Sequence, residues 1–395
     1  MNNHRYILTL NSGSSSIKIS LYENTKEGLL LQLSGKAEQI GTANVILIIK
    51  QGNTEKKVDL HASDFDTVIK NLTGWLGKQE WFGKVHAIGH RIVFGMKHTK
   101  AVIITGKLLN ELTTLIEYDP DHLPAQISII KILKAQYPQL PQIVCFDTAF
   151  HHTIPDVAKT FAIPKKYDKE GIRRYGFHGI SYSYLLQELK RMNAKQAKGR
   201  IIMAHLGNGA SLAAIKDGRC IDTSMGFTPA GGIVMSTRSG DIDPGIARFL
   251  LQKQPDTKAF NDIINHKSGL LGISGLSSDM QVLLLHEQNN GHAALAINIF
   301  CYQIKKYIGA YTAALGGLDT LVFAGGIGEN APQIRIRICQ GLQYAGVVID
   351  KKKNAANEKE ISSSESKVKV FVIPTNEELM IAETTWHLYS KHLPK

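Results

Sequence analysis

Residues 6–22 read YILTLNSGSSSIKISLY, and this stretch decides the fold. An apolar run over residues 6–10 meets Asn11, Ser12, Gly13, Ser14, Ser15 and Ser16, and residues 17–22 then largely alternate apolar with polar. β-Branched and aromatic side chains dominate both flanks, which predicts two strands joined by a tight polar turn. Glycine lets a backbone approach a ligand, the serines add hydroxyl donors, and Lys18 adds a mobile positive charge. Such a turn presents clustered N–H groups to an anion, as phosphate-binding nests do. It is not a Walker A loop, because no G-x-x-x-x-G-K-[ST] is present and a strand follows. Taken alone, the stretch equally suits a solvated serine-rich hairpin, so the rest of the chain has to decide.

The device recurs halfway along. Residues 200–206 predict a strand, Gly207, Asn208, Gly209 and Ala210 a glycine turn, and residues 211–215 a returning strand. Two such hairpins, each opening a half of similar size, predict a duplicated fold with two phosphate loops. A third glycine segment follows a strand at residues 321–324: GGIGEN at 325–330 predicts a turn leading into a helix at 331–338. A strand, a glycine turn and a helix start together form an anion site; an ordinary strand-to-helix loop is the plain alternative. Elsewhere, residues 64–76, 108–116 and 127–134 predict helices. A strand at 85–93 carries a basic pair, and a buried strand at 142–146 ends at Asp147, where strand ends of α/β sheets open onto clefts. A last strand at 368–373 and a helix at 379–389 close the chain, and the lysine-rich residues 351–367 read as a mobile surface loop.

The chain has 395 residues, enough for two domains, with 43% apolar and 20% charged residues. Its apolar runs are too short to cross a membrane, and the first strand leaves no room for a signal peptide. Cys145, Cys220, Cys301 and Cys339 lie far apart and read as reduced cytoplasmic thiols. A net charge of +12 invites a nucleic-acid reading, but the lysines are scattered and lack interleaved stacking aromatics. The charge suits small anionic substrates instead.

Four basic groups stand in unusual contexts: Arg91 within an apolar strand, Arg238 within STRSGD, His178 within RRYGFHG, and His205 just before the glycine turn. Structural ion pairs with Asp147 or Asp241 would account for the arginines. The functional reading is that these groups converge on a transferring phosphoryl group, whose equatorial oxygens gather charge. His98, His151 and His152 read as surface or packing residues. Asn11, Asp147 and Glu377 offer hard oxygen ligands for Mg2+. No Cys/His cluster suits structural zinc, and no serine sits in a nucleophile elbow. A hydroxyl acceptor would need a base, whereas a carboxylate acceptor is already ionised and needs cations to offset its repulsion from ATP. Arginines and a histidine suit the second task.

The ordered set of motifs closely resembles the acetate kinase family, within the sugar kinase–Hsp70–actin superfamily. The resemblance spans the chain: LNSGSSSIK (10–18), GHRIV (89–93), CFDTAFHHTIP (145–155), RRYGFHGIS (173–181), HLGNGAS (205–211), DTSMGFTP (222–229), STRSGDIDP (236–244), SGLLGISGLSSDM (268–280), GGIGEN (325–330) and IPTNEEL (373–379). It implies an α/β fold of two duplicated ribonuclease H-like domains with an interdomain active-site cleft. The expected domains are residues 1–148 completed by about 380–395, and 149–379 for the nucleotide. By motif, Asp147, Arg91, Arg238 and His178 match catalytic positions, and Asn11 and Glu377 match positions associated with Mg2+ (or Mn2+). Ser14, Ser16 and Lys18 match the first phosphate loop; His205, Gly207, Asn208 and Gly209 match the second. Asp279, Met280, Gln281, Gly326, Ile327, Gly328 and Asn330 fall on the nucleotide side, and Val93, Phe177 and Pro229, with Arg91, on the acid pocket. The implied reaction is in-line transfer from MgATP to acetate, reversibly, in a cytoplasmic homodimer without nucleic-acid or membrane partners.

The chain departs from the family pattern in four places. Asp121 occupies a pocket-side leucine position, Ala230-Gly231-Gly232 replaces Leu-Glu-Gly, and Phe94-Gly95-Met96-Lys97 replaces His-Gly-Gly-Glu. Gln281 stands where an arginine near the adenine is usual. Acetate and propionate therefore both remain open as acceptors. A non-catalytic nucleotide-sensing scaffold is the alternative of another class, which the joint presence of Arg91, Arg238, His178 and Asp147 argues against.

Overall fold

The computed structural model describes residues 5–13, 16–38, 40, 45–62 and 64–392. The chain divides into two compact units, Met1–Ala149 with Asn376–Lys395, and Phe150–Thr375. The returning segment begins at Asn376. The reason is local: the Asn376 side chain accepts from the Leu379 N–H at 3.0 Å and starts the helix Glu377–Ser390, so Glu377 belongs to the first unit.

The first unit is built on eight strands: β1 (Arg5–Ser12), β2 (Ile17–Thr25), β3 (Gly28–Ala37), β4 (Ile46–Gln51), β5 (Thr54–Asp59), β6 (Val85–Ile92), β7 (Val102–Ile103) and β8 (Gln142–Phe146). Their order is β5-β4-β3-β2-β1-β6-β8-β7. β1 to β5 form an antiparallel meander, while β6 and β8 continue parallel to β1. Alternation along β2 turns Ile17, Ile19 and Leu21 into one core with Val68, Ile69 and Leu72 of the helix Phe65–Gly77 and Ile129 and Leu133 of the helix Leu123–Gln136. Ile7, Tyr22, Ala87 and Ile143 form a second core with Ala382 of the closing helix.

The second unit holds β9 (Arg200–Leu206), β10 (Ala210–Lys216), β11 (Arg219–Thr223), β12 (Thr320–Ala324) and β13 (Lys369–Val372), in the order β11-β10-β9-β12-β13. Again a meander, β9-β10-β11, meets two strands parallel to its first member. This matches β3-β2-β1-β6-β8 strand for strand, so the duplication read from the two hairpins is present, in the expected α/β class. β9 and β12 are buried along nearly all of their length, as strands covered on both faces must be.

Two expectations are corrected. GGIGEN is not an open turn but the short helix Gly325–Asn330. Residues 351–367 are not a mobile loop. The helix Lys351–Ala355 is capped by Asp350, Ile361 is fully buried, and bridges Ile349–Ser362 and Glu360–Phe371 tie the segment down. Its anchor is Arg335, itself fully buried, which donates to Asn354 Oδ1 and O (2.7 and 2.9 Å), Asn357 Oδ1 (2.6 Å) and the carbonyls of Gly328 and Glu329 (2.7 and 2.9 Å). A lysine-rich composition concealed that anchor, because its partners are amides and carbonyls with no charge signature.

Candidate active site

In the first unit, three parallel neighbours end together. Register pairs Leu10 with His90 and Arg91 with Cys145, so Asn11, Arg91 and Asp147 all lie at carboxyl ends of adjacent strands. Open α/β sheets present ligand-binding groups there. Arg91 is the hub. It donates from Nε and Nη2 to Asp147 Oδ2 (3.1 and 2.6 Å) and from Nη1 to Asn11 Oδ1 (3.0 Å), with Glu377 Oε2 3.4 Å from Nη1. Burial would lower its pKa, but the carboxylates of Asp147 and Glu377 outweigh burial and raise it above the ordinary arginine value. Asn11 Nδ2 donates to Glu377 Oε2 and Glu378 Oε1, both at 3.1 Å. Lys18 Nζ lies 3.3 Å from Glu378 Oε1.

Five of the sequence-derived residues are therefore joined in one network: Asn11, Lys18, Arg91, Asp147 and Glu377. Ser14 lies outside the described residues. Ser16 closes the turn, its carbonyl accepting from Gly13 N–H at 2.8 Å. Val93 is buried, and its N–H donates to Gln126 Oε1 (3.1 Å), while Gln126 Nε2 donates to the Ser12 carbonyl (2.9 Å). Gln126 thus braces the end of β1 against the Val93 strand end. Nothing in the sequence singles it out, since a glutamine on an apolar helix face has no motif of its own. Glu378 was missed too, although it stands inside IPTNEEL. Asp119 and His122 form a buried pair at 2.8 Å, and Asp121 borders a surface hollow with Asp64, Asp66 and Lys131.

The oxygen donors of this cluster are of the kind a hard divalent cation takes. An amide oxygen and two carboxylates, Asn11, Asp147 and Glu377, share one guanidinium. Among the described residues no three His, Cys, Asp or Glu side chains form a metal cluster.

In the second unit the glycine turn sits between two stacked histidines and an arginine. The rings of His178 and His205 lie 4.4 Å apart at 28°. His178 Nδ1 meets Ser211 Oγ at 2.9 Å, and His205 Nδ1 meets Ser181 Oγ at 2.8 Å, Ser181 in turn meeting Thr375 Oγ1 at 2.7 Å. Both Nε2 atoms face the turn: a β-carbon on Gly209 would stand 3.0 Å from His178 Nε2 and 3.8 Å from Arg238 Nη1, and one on Gly207 3.8 Å from His205 Nε2. A side chain at 209 would make the His178 ring give by a few tenths of an ångström. Arg238 Nη1 donates to the Pro229 carbonyl at 3.3 Å. Asp241 accepts from Gly232 N–H (2.8 Å) and Tyr307 Oη (2.5 Å). Asn208 is held through its carbonyl by Ser236 N–H at 3.1 Å.

His178 has φ +59°, a left-handed conformation at the start of the helix Gly179–Met192. Its neighbour Phe177 is buried, and the Phe177 carbonyl accepts from His151 Nε2 at 2.9 Å. His151 is indeed a packing residue, burial lowering its pKa to about 4, but what it packs is the backbone of a site residue. His98 also has a partner that sequence spacing hid: it bonds Glu111 at 3.0 Å and stacks on Phe146.

The GGIGEN helix borders the same turn, because Gly326 N would lie 3.9 Å from a β-carbon on Gly207. Gly325, at φ +76°, would place a β-carbon 2.7 Å from the Leu206 carbonyl, so only glycine fits. Gly326 and Asn330 are exposed, with Asn330 Nδ2 donating to the Gly326 carbonyl at 3.0 Å. Ile327 is half-buried. Gly328 is buried, and a β-carbon on it would touch Leu206 and Phe323. Glu329 Oε1 accepts from the N–H groups of Gly325 (2.8 Å) and Thr375 (3.0 Å), cross-linking the loop to the end of β13. Asp279 caps the helix Met280–His286 by accepting from Gln281 N–H at 2.7 Å; Met280 is buried and Gln281 exposed. The Met280 side chain is therefore committed to the core, and only its neighbours present side chains to solvent.

A model of the acetokinase family matches residues 6–383. The chain is 43% identical to the acetate kinase of Phocaeicola vulgatus, over 98% of this chain and all of that one. Crystal structures of Porphyromonas gingivalis acetate kinase (TM-score 0.86, 38% identity) and of a Francisella tularensis propionate kinase (TM-score 0.90, 39% identity) each cover 97% of this chain and 99% of their own. Fold, glycine turns and these likenesses define a phosphotransferase of the actin-like duplicated type. The chain belongs to the acetokinase family.

Proposed function

We propose that the chain catalyses the reversible transfer of the γ-phosphoryl group of ATP to acetate, giving acetyl phosphate and ADP. The observation that carries the reading is the pair of cation-rich strand ends: Arg91 among Asn11, Asp147 and Glu377 in one unit, and Arg238 with His178 at the Gly207–Gly209 turn in the other. A carboxylate acceptor is ionised at neutral pH, so its approach to ATP is limited by charge repulsion rather than by the need for a base. Arg91 and Arg238 offset that repulsion and the charge that gathers on the equatorial oxygens. His178 adds a hydrogen bond to the transferring group. The backbone N–H groups of Gly207, Asn208, Gly209 and Gly326 cradle the nucleotide phosphates, while Ser16 and Lys18 do so from the first unit. Val93, Phe177 and Pro229 exclude water around the small apolar end of the acid. Asn11, Asp147 and Glu377 would hold Mg2+ or Mn2+, which when bound supplies positive charge to the β- and γ-phosphates.

Propionate is the second reading, favoured by the propionate kinase neighbour. Trapping acyl phosphate with hydroxylamine, from MgATP with acetate, propionate or butyrate, tests both. The highest kcat/KM with acetate supports the first reading, a clear propionate preference the second. No product from any acid removes both.

We also propose a cytoplasmic homodimer. The helices Pro244–Lys253 and Thr257–His266 bury none of their residues, and Ile246 and Phe249 are exposed on the first, so this face supports coverage by a second copy. Phe249→Glu is expected to convert a sedimenting dimer to monomer; an unchanged sedimentation coefficient would remove this face from the interface.

A further inference from the structure

Beyond the residues at the glycine turn lies a chain of buried hydroxyl groups that ends on His178. Tyr182 stands one turn into the helix that His178 begins, and its N–H donates to the His178 carbonyl at 3.0 Å. Its hydroxyl meets Ser211 Oγ at 2.6 Å, and Ser211 Oγ meets His178 Nδ1 at 2.9 Å. Tyr182, and Ser211 of β10, are fully buried. We propose that Tyr182 and Ser211 are positioning residues that hold His178 in the neutral tautomer with its proton on Nε2, aimed at the Gly207–Gly209 turn.

The direction follows from counting hydrogens. Among the described residues the Tyr182 hydroxyl makes its hydrogen bond to Ser211 Oγ. The phenol has a single hydrogen, and Ser211 Oγ is the acceptor within its reach, so the phenol donates there. The Ser211 hydrogen is then directed to His178 Nδ1. Were the order reversed, with Nδ1–H donating to Ser211 and Ser211 to Tyr182, the phenolic hydrogen would be buried with no acceptor, a costly arrangement. A ring nitrogen that accepts carries no proton, which leaves the proton on Nε2. That atom would stand 3.0 Å from a β-carbon on Gly209, with Arg238 Nη1 3.8 Å from the same point. An N–H and a guanidinium thus address one place.

His178 is also fixed through its backbone. The His151 ring donates from Nε2 to the Phe177 carbonyl at 2.9 Å and meets Cys220 Sγ with Nδ1 at 3.2 Å. A carbonyl cannot donate, so this second histidine is itself locked as the Nε2–H tautomer. Tyr182 therefore grips His178 at both ends, through the helix and through Ser211, and His151 holds the peptide before it.

The tautomer stands on geometry alone, whereas its effect on turnover rests on the phosphoryl-transfer reading above. The test uses the full-length protein labelled with 15N-histidine. Two-bond proton–nitrogen correlations identify which ring nitrogen is protonated, and His178 is assigned by the signals lost in His178→Gln. The wild type is expected to show His178 protonated at Nε2. In Ser211→Ala, a population protonated at Nδ1 is expected, with kcat reduced about tenfold and KM for ATP little changed. The loss is smaller than for removing a donor outright, because the ring still visits the productive tautomer. Ser211→Thr should restore both readouts. Tyr182→Phe, which keeps the ring packing, should also admit the Nδ1–H form and guards against a Ser211 variant that fails to fold. Nδ1–H in the wild type, or an unchanged tautomer in both Ser211→Ala and Tyr182→Phe, overturns the proposal. A wild type with Nε2–H but no acyl phosphate from any acid would uphold the tautomer and remove the phosphotransfer reading.

Discussion

Replacing Arg91 by alanine removes the one guanidinium from a network in which it touches Asp147 at 2.6 Å, Asn11 at 3.0 Å and Glu377 at 3.4 Å. Two effects are expected, and they separate. The first is on stability. Asp147 has only 1% of its side chain exposed, so its buried carboxylate would lose the Arg91 cation. Breaking a buried pair from one side costs about 3–5 kcal/mol. Arg91 itself is 16% exposed, which lets water replace part of the lost interaction and places the loss near about 3 kcal/mol. The second effect is on turnover. Losing a positive group that meets charge developing in the transition state typically costs about a thousandfold, roughly 4 kcal/mol. Hydroxylamine trapping measures kcat at saturating acetate and MgATP, and urea unfolding measures stability on the same preparation. Adding Asp147→Asn to Arg91→Ala removes the orphaned charge, so stability should recover while turnover does not. Arg91→Lys should fall between, because an ammonium keeps the charge but cannot span three oxygens as a planar fork does. Turnover within tenfold of wild type in Arg91→Ala would refute the charge-stabilising role.

Stability should also fall on mild acidification. Burial lowers the pKa of His90 and of His151 from 6.5 to about 4. Between those values the unfolded chain binds protons that the folded chain does not. The contribution is thus full above pH 6.5 and is lost as pH falls towards 4, at up to about 1.4 kcal/mol per pH unit for each histidine. Urea unfolding from pH 7 to 4.5 measures the slope; His151→Gln should flatten it, and an equal slope in that variant would show that other groups set it. At the nucleotide side, Gln281→Arg is expected to raise discrimination of ATP over GTP several-fold, the worth of about 1 kcal/mol for a cation over an exposed ring. Equal discrimination in the variant and the parent would show that residue 281 does not face the base.

Local chemistry and order along the chain determined a large part of this protein. Alternation in residues 17–22 and the small residues on either side of 13 and 209 specify two hairpins, because strands need a period of two and tight turns need glycine or short polar side chains. Their repetition specifies the duplicated α/β architecture, and the run of motifs specifies the acetokinase family. What only the tertiary structure decided was which side chains meet. Asn11, Arg91 and Asp147 lie on three segments that share no periodicity, and parallel pairing of β1, β6 and β8 is what ends them side by side. Gln126, Arg335 and the Tyr182–Ser211 pair were illegible, since their partners are backbone groups, side-chain amides or hydroxyls, and such bonds leave no charge or spacing pattern. Residues 351–367 make the same point in reverse. Their composition reads as solvated, yet one fully buried arginine fixes them, and burial is a property of the packed chain rather than of any segment in it.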